Sequence, residues 1–124
     1  DFTDKLIWPE MDAAARADLR QNGVWLRSSR YGPRPYPVTE RLITSGLGHL
    51  VLDSDINCGF PVRVIHGTAD LDVPLSHGQL VFERLTGSDV KMTLVKGGDH
   101  RLSTPADIAF LLATCLELAD RMNG

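Results

Sequence analysis

Three side chains in the second half of the chain could do chemistry together: Asp70, Asp72 and His100. The two carboxylates lie in the run His66-Gly67-Thr68-Ala69-Asp70-Leu71-Asp72-Val73-Pro74, directly after the β-branched stretch Val62-Arg63-Val64-Ile65. The imidazole ends Gly97-Gly98-Asp99-His100, which follows a second strand-like stretch over residues 90–95. Gly67 opens the first strand into a loop, and Pro74 closes that loop ahead of a helix. Strand ends of this kind are where α/β folds place their chemistry. Two parallel strands would present a carboxylate and an imidazole at one sheet edge, about 2.6 to 3.2 Å apart. An acid that orients a histidine is two parts of a hydrolytic triad, and the nucleophile is the part still to be supplied. Asp72 is the alternative acid. A metal site from Asp70, Asp72, Asp99 and His100 is the other chemistry open to these residue types, but no recognised ligand spacing occurs and no metal is expected. His66 reads as a packing and hydrogen-bonding residue of the strand end, and His49 and His77 as surface or packing residues.

The elements that must hold these residues alternate. A strand over residues 62–66 leads to a helix over residues 76–85, then to a strand over residues 90–95 and a helix over residues 105–122. The last helix carries its own start signal: Thr104 can cap it, Pro105 takes the first position, and Asp107 completes a capping box. Ile108, Leu111, Leu112, Cys115, Leu118, Ala119 and Met122 recur at helical spacing, a stripe that should lie on a sheet. Both strands are near-continuous apolar runs, as in parallel sheets covered on both faces, with a right-handed crossover between them. Only two such strands are legible. Two strands do not make a stable sheet, so the chain reads as the end of a larger α/β domain and is not expected to persist as a free monomer. Upstream, residues 9–22 suit a helix that Gly23 ends. Residues 23–37 read as a loop with large apolar side chains, a helix runs from about Pro37 or Thr39 to Leu47, and residues 53–61 read as a connector. The division expected is a cap or lid with connecting helices over residues 1–53 and a core segment over residues 54–124.

Composition narrows the function. At 124 residues with 43% hydrophobic content the chain suits one modest domain. A net charge of −3 with scattered basic residues excludes a nucleic-acid footprint. No apolar run approaches the roughly 18 residues of a membrane helix. Cys58 and Cys115 read as free thiols of a reducing compartment, either the cytoplasm or, in a eukaryote, the mitochondrion.

The pattern His66-Gly67-x-x-Asp70-x-x-Val73-Pro74, followed by Gly98-Asp99-His100 and a final helix, resembles the C-terminal third of the α/β-hydrolase fold. Over roughly residues 24–120 it is similar to the branch of mitochondrial palmitoyl-protein thioesterases and acyl-glucuronide esterases and its bacterial relatives. The resemblance implies an α/β class: parallel strands with flanking helices, preceded by a helical cap. It places Asp70 on the catalytic acid and His100 on the general base, and implies an acyl ester or thioester as substrate and no cofactor. One departure stands out. Around Ser45, Ile43 and Leu47 occupy the positions where a Gly-x-Ser-x-Gly elbow needs glycines, and no oxyanion loop rich in glycine is present. Nucleophile and oxyanion donors are therefore expected in an N-terminal half of the same hydrolase, outside this chain. The alternative from another class is a non-catalytic piece that folds only against a partner. Trp8, Trp25, Tyr31 and Tyr36 would either form an apolar wall of a cap for an acyl chain or simply cover the core. Together with Leu71, next to the acid, Trp8, Trp25 and Tyr31 are the candidate substrate-binding residues.

Overall fold

β-Branched residues favour extended backbone, and two runs of them define the functional half of the molecule in the computed structural model, which describes residues 1–123. Strand β4 (Val62–Gly67) pairs in parallel with β6 (Val90–Val95), in the register Val62↔Val90 to Gly67↔Val95. Helix α4 (Leu75–Arg84) lies between them in sequence and packs on both. Its C-terminal end passes directly into β5 (Leu85–Thr86), which pairs in parallel with β3 (Ile56–Asn57). Helix α5 (Pro105–Asn123) ends the chain. Its expected capping box is present: the Thr104 hydroxyl donates to Asp107 Oδ2 at 2.6 Å and accepts from the Asp107 N–H at 3.2 Å.

The residues fall into two units, Asp1–Asp53 and Ser54–Gly124. In the first, a π-helix (Thr3–Ile7) runs into α1 (Trp8–Glu10), followed by α2 (Ala13–Asn22), β1 (Val24–Arg27), β2 (Tyr36–Thr39), α3 (Glu40–Gly46) and a 3-10 turn (Leu47–His49). Ile7, Met11, Ala15, Leu19, Val38 and Ile43 form its core, with Trp25 packed against them. The helix expected over residues 9–22 is interrupted, because Asp12 stays extended and caps a new start, its carboxylate accepting from the Ala15 N–H at 2.8 Å. Gly23 ends α2 as expected, in the left-handed conformation at φ 70°.

Two expectations need correction. Residues 23–37 contain β1, and with β2 it forms an antiparallel ribbon, register Val24↔Thr39 to Arg27↔Tyr36. In a ribbon of two strands every strand is an edge, so Pro37 does not exclude pairing; of the two helix starts expected, Pro37 or Thr39, the second is the nearer, since the helix begins at Glu40 and is capped by Thr39. The connector over residues 53–61 holds β3, whose two residues are too short to show a period. As the shortage of strands implies, the apolar stripe of α5 is not fully laid on a sheet within this chain. Leu111, Thr114 and Leu118 are half-buried, whereas Ile108, Leu112, Met122 and Cys115 are exposed. Paired strands lie about 5 Å apart and a helix with its side chains is about 10 to 12 Å across, so a two-stranded ladder is too narrow to cover the stripe fully.

Charge pairs also tie α5 to the rest of its unit. Arg63, its side chain 6% exposed, pairs with Asp89 at 2.9 Å and Glu117 at 3.2 Å, and Arg121 pairs with both acids at 3.0 Å. The Asp89 and Glu117 carboxyls are both held below the usual range, first by their hydrogen bonds to Arg63. Among the described residues no helix is long and apolar enough to cross a membrane.

Candidate active site

Parallel pairing ends β4 and β6 at the same edge, and the two loops that leave it are joined by their backbones. The Thr68 N–H donates to the Val95 carbonyl at 2.9 Å, the Ala69 N–H to the Gly98 carbonyl at 2.9 Å, and the Gly97 N–H to the Thr68 hydroxyl at 2.8 Å. Glycine is required where the loops cross. A Cβ on Gly67 would collide with the carbonyl groups of Gly98 and Asp99, and Gly97 takes φ 73°.

Within the first loop the Asp70 side chain, 7% exposed, is held from both ends. Its Oδ1 accepts from the N–H groups of Asp72 at 2.8 Å and Val73 at 2.9 Å, and its Oδ2 faces His100 Nδ1 at 3.0 Å. Burial alone would raise this carboxyl, but the hydrogen bonds from Val73, His100 and Asp72 together outweigh it and leave the pKa lowered. A carboxylate can only accept, so His100 presents Nδ1–H to it and leaves Nε2 as the basic nitrogen of the neutral ring. The second loop is locked in turn by Asp99, whose Oδ1 accepts from the N–H groups of Arg101 and Leu102 at 3.0 Å each. Leu102 carries φ 44°, a strained value for leucine, with its side chain buried against Gly98. Sequence reasoning did not single out Asp99 and Leu102 as supports of the histidine loop; an aspartate ahead of a tight turn was the available signal.

Asp72, the alternative acid, donates its backbone N–H to Asp70. Ligand atoms of Asp70, Asp72 and His100 lie within 4.8 Å of one another. Both oxygens of Asp70 are already engaged, one by two backbone donors and the other by the imidazole, which is the geometry of an oriented base more than of lone pairs converging on an ion. The aromatic candidates have separate surroundings. Trp8 lines an apolar cavity of about 400 Å³ with Leu19, Ile43 and Leu47, and stacks beneath the Arg16 guanidinium, 4.9 Å from its ring centre. Trp25 packs on the core of the first unit, Tyr31 is exposed between β1 and β2, and Leu71 is 74% exposed on the acid loop.

A parallel β-α-β unit with an acid and a histidine on the loops leaving one sheet edge is the architecture of an α/β-hydrolase. The fold of the chain is that of the C-terminal part of an α/β-hydrolase, and the relatives it matches in sequence and structure are α/β-hydrolases. It is similar to the mitochondrial palmitoyl-protein thioesterase ABHD10 of mouse, 34% identical over 107 residues, which cover 86% of this chain and 36% of the relative. The human protein of the same name is 30% identical over 115 residues, 92% of this chain and 38% of its own. Among solved structures, a presumptive hydrolase from Agrobacterium vitis S4 superposes with a TM-score of 0.91 at 38% identity, over 94% of this chain and 45% of that one. The mouse α/β hydrolase domain-containing protein 10 superposes with a TM-score of 0.79 at 30% identity, over 98% of this chain and 48% of its own. The chain thus spans little more than a third of the length of the curated relatives it matches. No family model matches it.

Proposed function

We propose that residues 1–124 supply the acid and the histidine of a serine hydrolase that cleaves carboxylic esters or thioesters through an acyl-enzyme, the nucleophilic serine lying in an N-terminal part of the protein outside this chain. The observation that carries the reading is the 3.0 Å contact between Asp70 Oδ2 and His100 Nδ1, with Asp70 Oδ1 tied to the loop backbone. His100 Nε2 takes the proton from the serine hydroxyl as it attacks the acyl carbonyl, and returns it to the departing thiolate or alkoxide. Asp70 keeps the ring in the required tautomer and stabilises the imidazolium. Water then enters, loses a proton to the same nitrogen, and releases the acid. No cofactor takes part in this chemistry. That several relatives bear the name palmitoyl-protein thioesterase favours a long acyl group. The first unit would serve as the cap.

The test is active-site labelling. In the full-length protein a fluorophosphonate probe should modify one serine outside residues 1–124, and His100→Ala should abolish the labelling. Stoichiometric labelling of a serine within the isolated 124-residue chain would overturn the assignment.

A further inference from the structure

His66 is buried, 8% exposed, next to the last residue of β4, and the mechanism proposed above does not use it. Its Nε2 lies 3.0 Å from the Val73 carbonyl oxygen and 3.9 Å from Asp70 Oδ2. A carbonyl can only accept, so the ring presents Nε2–H to it. Val73 is therefore gripped at both ends: its C=O by His66, its N–H by Asp70 Oδ1 at 2.9 Å. That second contact is one of the two backbone bonds that aim the carboxylate. On its other side the ring rests on α4, where Gly78 leaves room; a methyl group at Gly78 would run into Nδ1 and Cε1 of the imidazole.

We infer that His66 is a positioning residue for the acid. It fixes the Val73 peptide, which fixes Asp70 Oδ1, which leaves Oδ2 pointing at His100 Nδ1. The chain of contacts runs through backbone groups, so the identity of residue 73 matters little. A donor at the position of His66 Nε2 matters a great deal. Gly78 belongs to the same device, since only glycine lets the ring sit between α4 and the acid loop.

This inference rests on the hydrolase reading for its kinetics, and its second readout does not. In the full-length protein, His66→Leu removes the donor at similar bulk, His66→Gln restores an N–H near the Nε2 position, and Gly78→Ala displaces the ring without changing it. Each variant is assayed for kcat and KM on a p-nitrophenyl ester, for its melting temperature, and for the His100 Nδ1–H resonance in 15N-edited spectra. His66→Leu and Gly78→Ala should lower kcat by about a hundredfold, the cost of a misplacement on the order of 1 Å, with KM little changed. Both should shift or broaden the His100 Nδ1–H signal, and His66→Gln should recover most of both losses. Gly78→Ala is informative because alanine favours a helix over glycine, so lost turnover cannot be put down to a weaker α4. Should His66→Leu fail to fold, the other two variants decide the matter alone. Unchanged kcat and an unchanged His100 signal in Gly78→Ala, or no recovery in His66→Gln, would overturn the role. If the wild-type protein hydrolyses no ester, the hydrolase reading falls, and the His100 resonance still reports whether His66 positions Asp70.

Discussion

Replacing Asp70 by asparagine removes a charge while preserving shape, and the hydrogen-bond pattern dictates which way the amide must turn. The Oδ1 position receives two backbone N–H donors, at 2.8 and 2.9 Å, and only the amide oxygen can occupy it. The NH2 group then falls where Oδ2 was, 3.0 Å from His100 Nδ1. A donor now faces a donor, so the imidazole must shift its proton to Nε2, which is the nitrogen needed as the base. Turnover should fall roughly ten-thousandfold if the precedent of the serine-protease triad transfers. That equals about 5.5 kcal/mol of transition-state stabilisation. Folding should survive, because both backbone bonds are kept; the lost charge-assisted bond costs on the order of 1 to 3 kcal/mol. The assay is kcat on a p-nitrophenyl ester with the full-length protein, alongside a thermal melt. Asp72→Asn is the internal control and should stay within a few-fold of wild type. A fall for Asp72→Asn that matches or exceeds the fall for Asp70→Asn would refute the assignment of the acid, and so would full activity in Asp70→Asn.

The lowered pKa of Asp70 gives its stabilising contribution a pH window. An unfolded aspartate titrates near about 3.9, so the contribution is fully present above that value and is lost as pH falls through the lower folded value. The stability gap between wild type and Asp70→Asn in urea titrations should thus be constant at neutral pH and close in acid; a gap that widens in acid would contradict the sign. Gly67→Ala should cost about 1 to 3 kcal/mol in melts and reduce kcat, because its Cβ meets the backbone of the histidine loop; a neutral variant would mean that the two loops part without consequence. Cys115, exposed on α5, should react readily with a thiol reagent in the isolated chain and markedly more slowly in the full-length protein, where the remaining sheet is expected to cover the helix. Equal rates would mean that the apolar side of α5 stays open to water.

Much of the functional half was legible in the chain because its signals are local. Residues 90–95 and 62–66 are apolar runs bounded by glycine and proline, and α5 announces itself through Thr104, Pro105 and Asp107, all within one turn. The spacing of Asp70 and His100 on loops after two such strands follows from the same local signs. What depends on partners distant in sequence was not legible. Strand β1 looks like a loop until Trp25 meets Val38 on the core, and β3 exists only because Leu85 and Thr86 lie beside it. The exposure of Cys115 could not be read from an apolar period, which specifies a face but not what covers it. Two carboxylates two residues apart, Asp70 and Asp72, are equivalent by type; the resemblance selects Asp70, and the turn that directs the Asp72 and Val73 N–H groups onto Asp70 Oδ1 gives the physical reason that Asp70 meets the imidazole. His66 marks the same boundary. The sequence determines that a histidine ends the strand, and the tertiary structure decides that its Nε2 faces the Val73 carbonyl, because that contact exists only once the acid loop has folded back over β4.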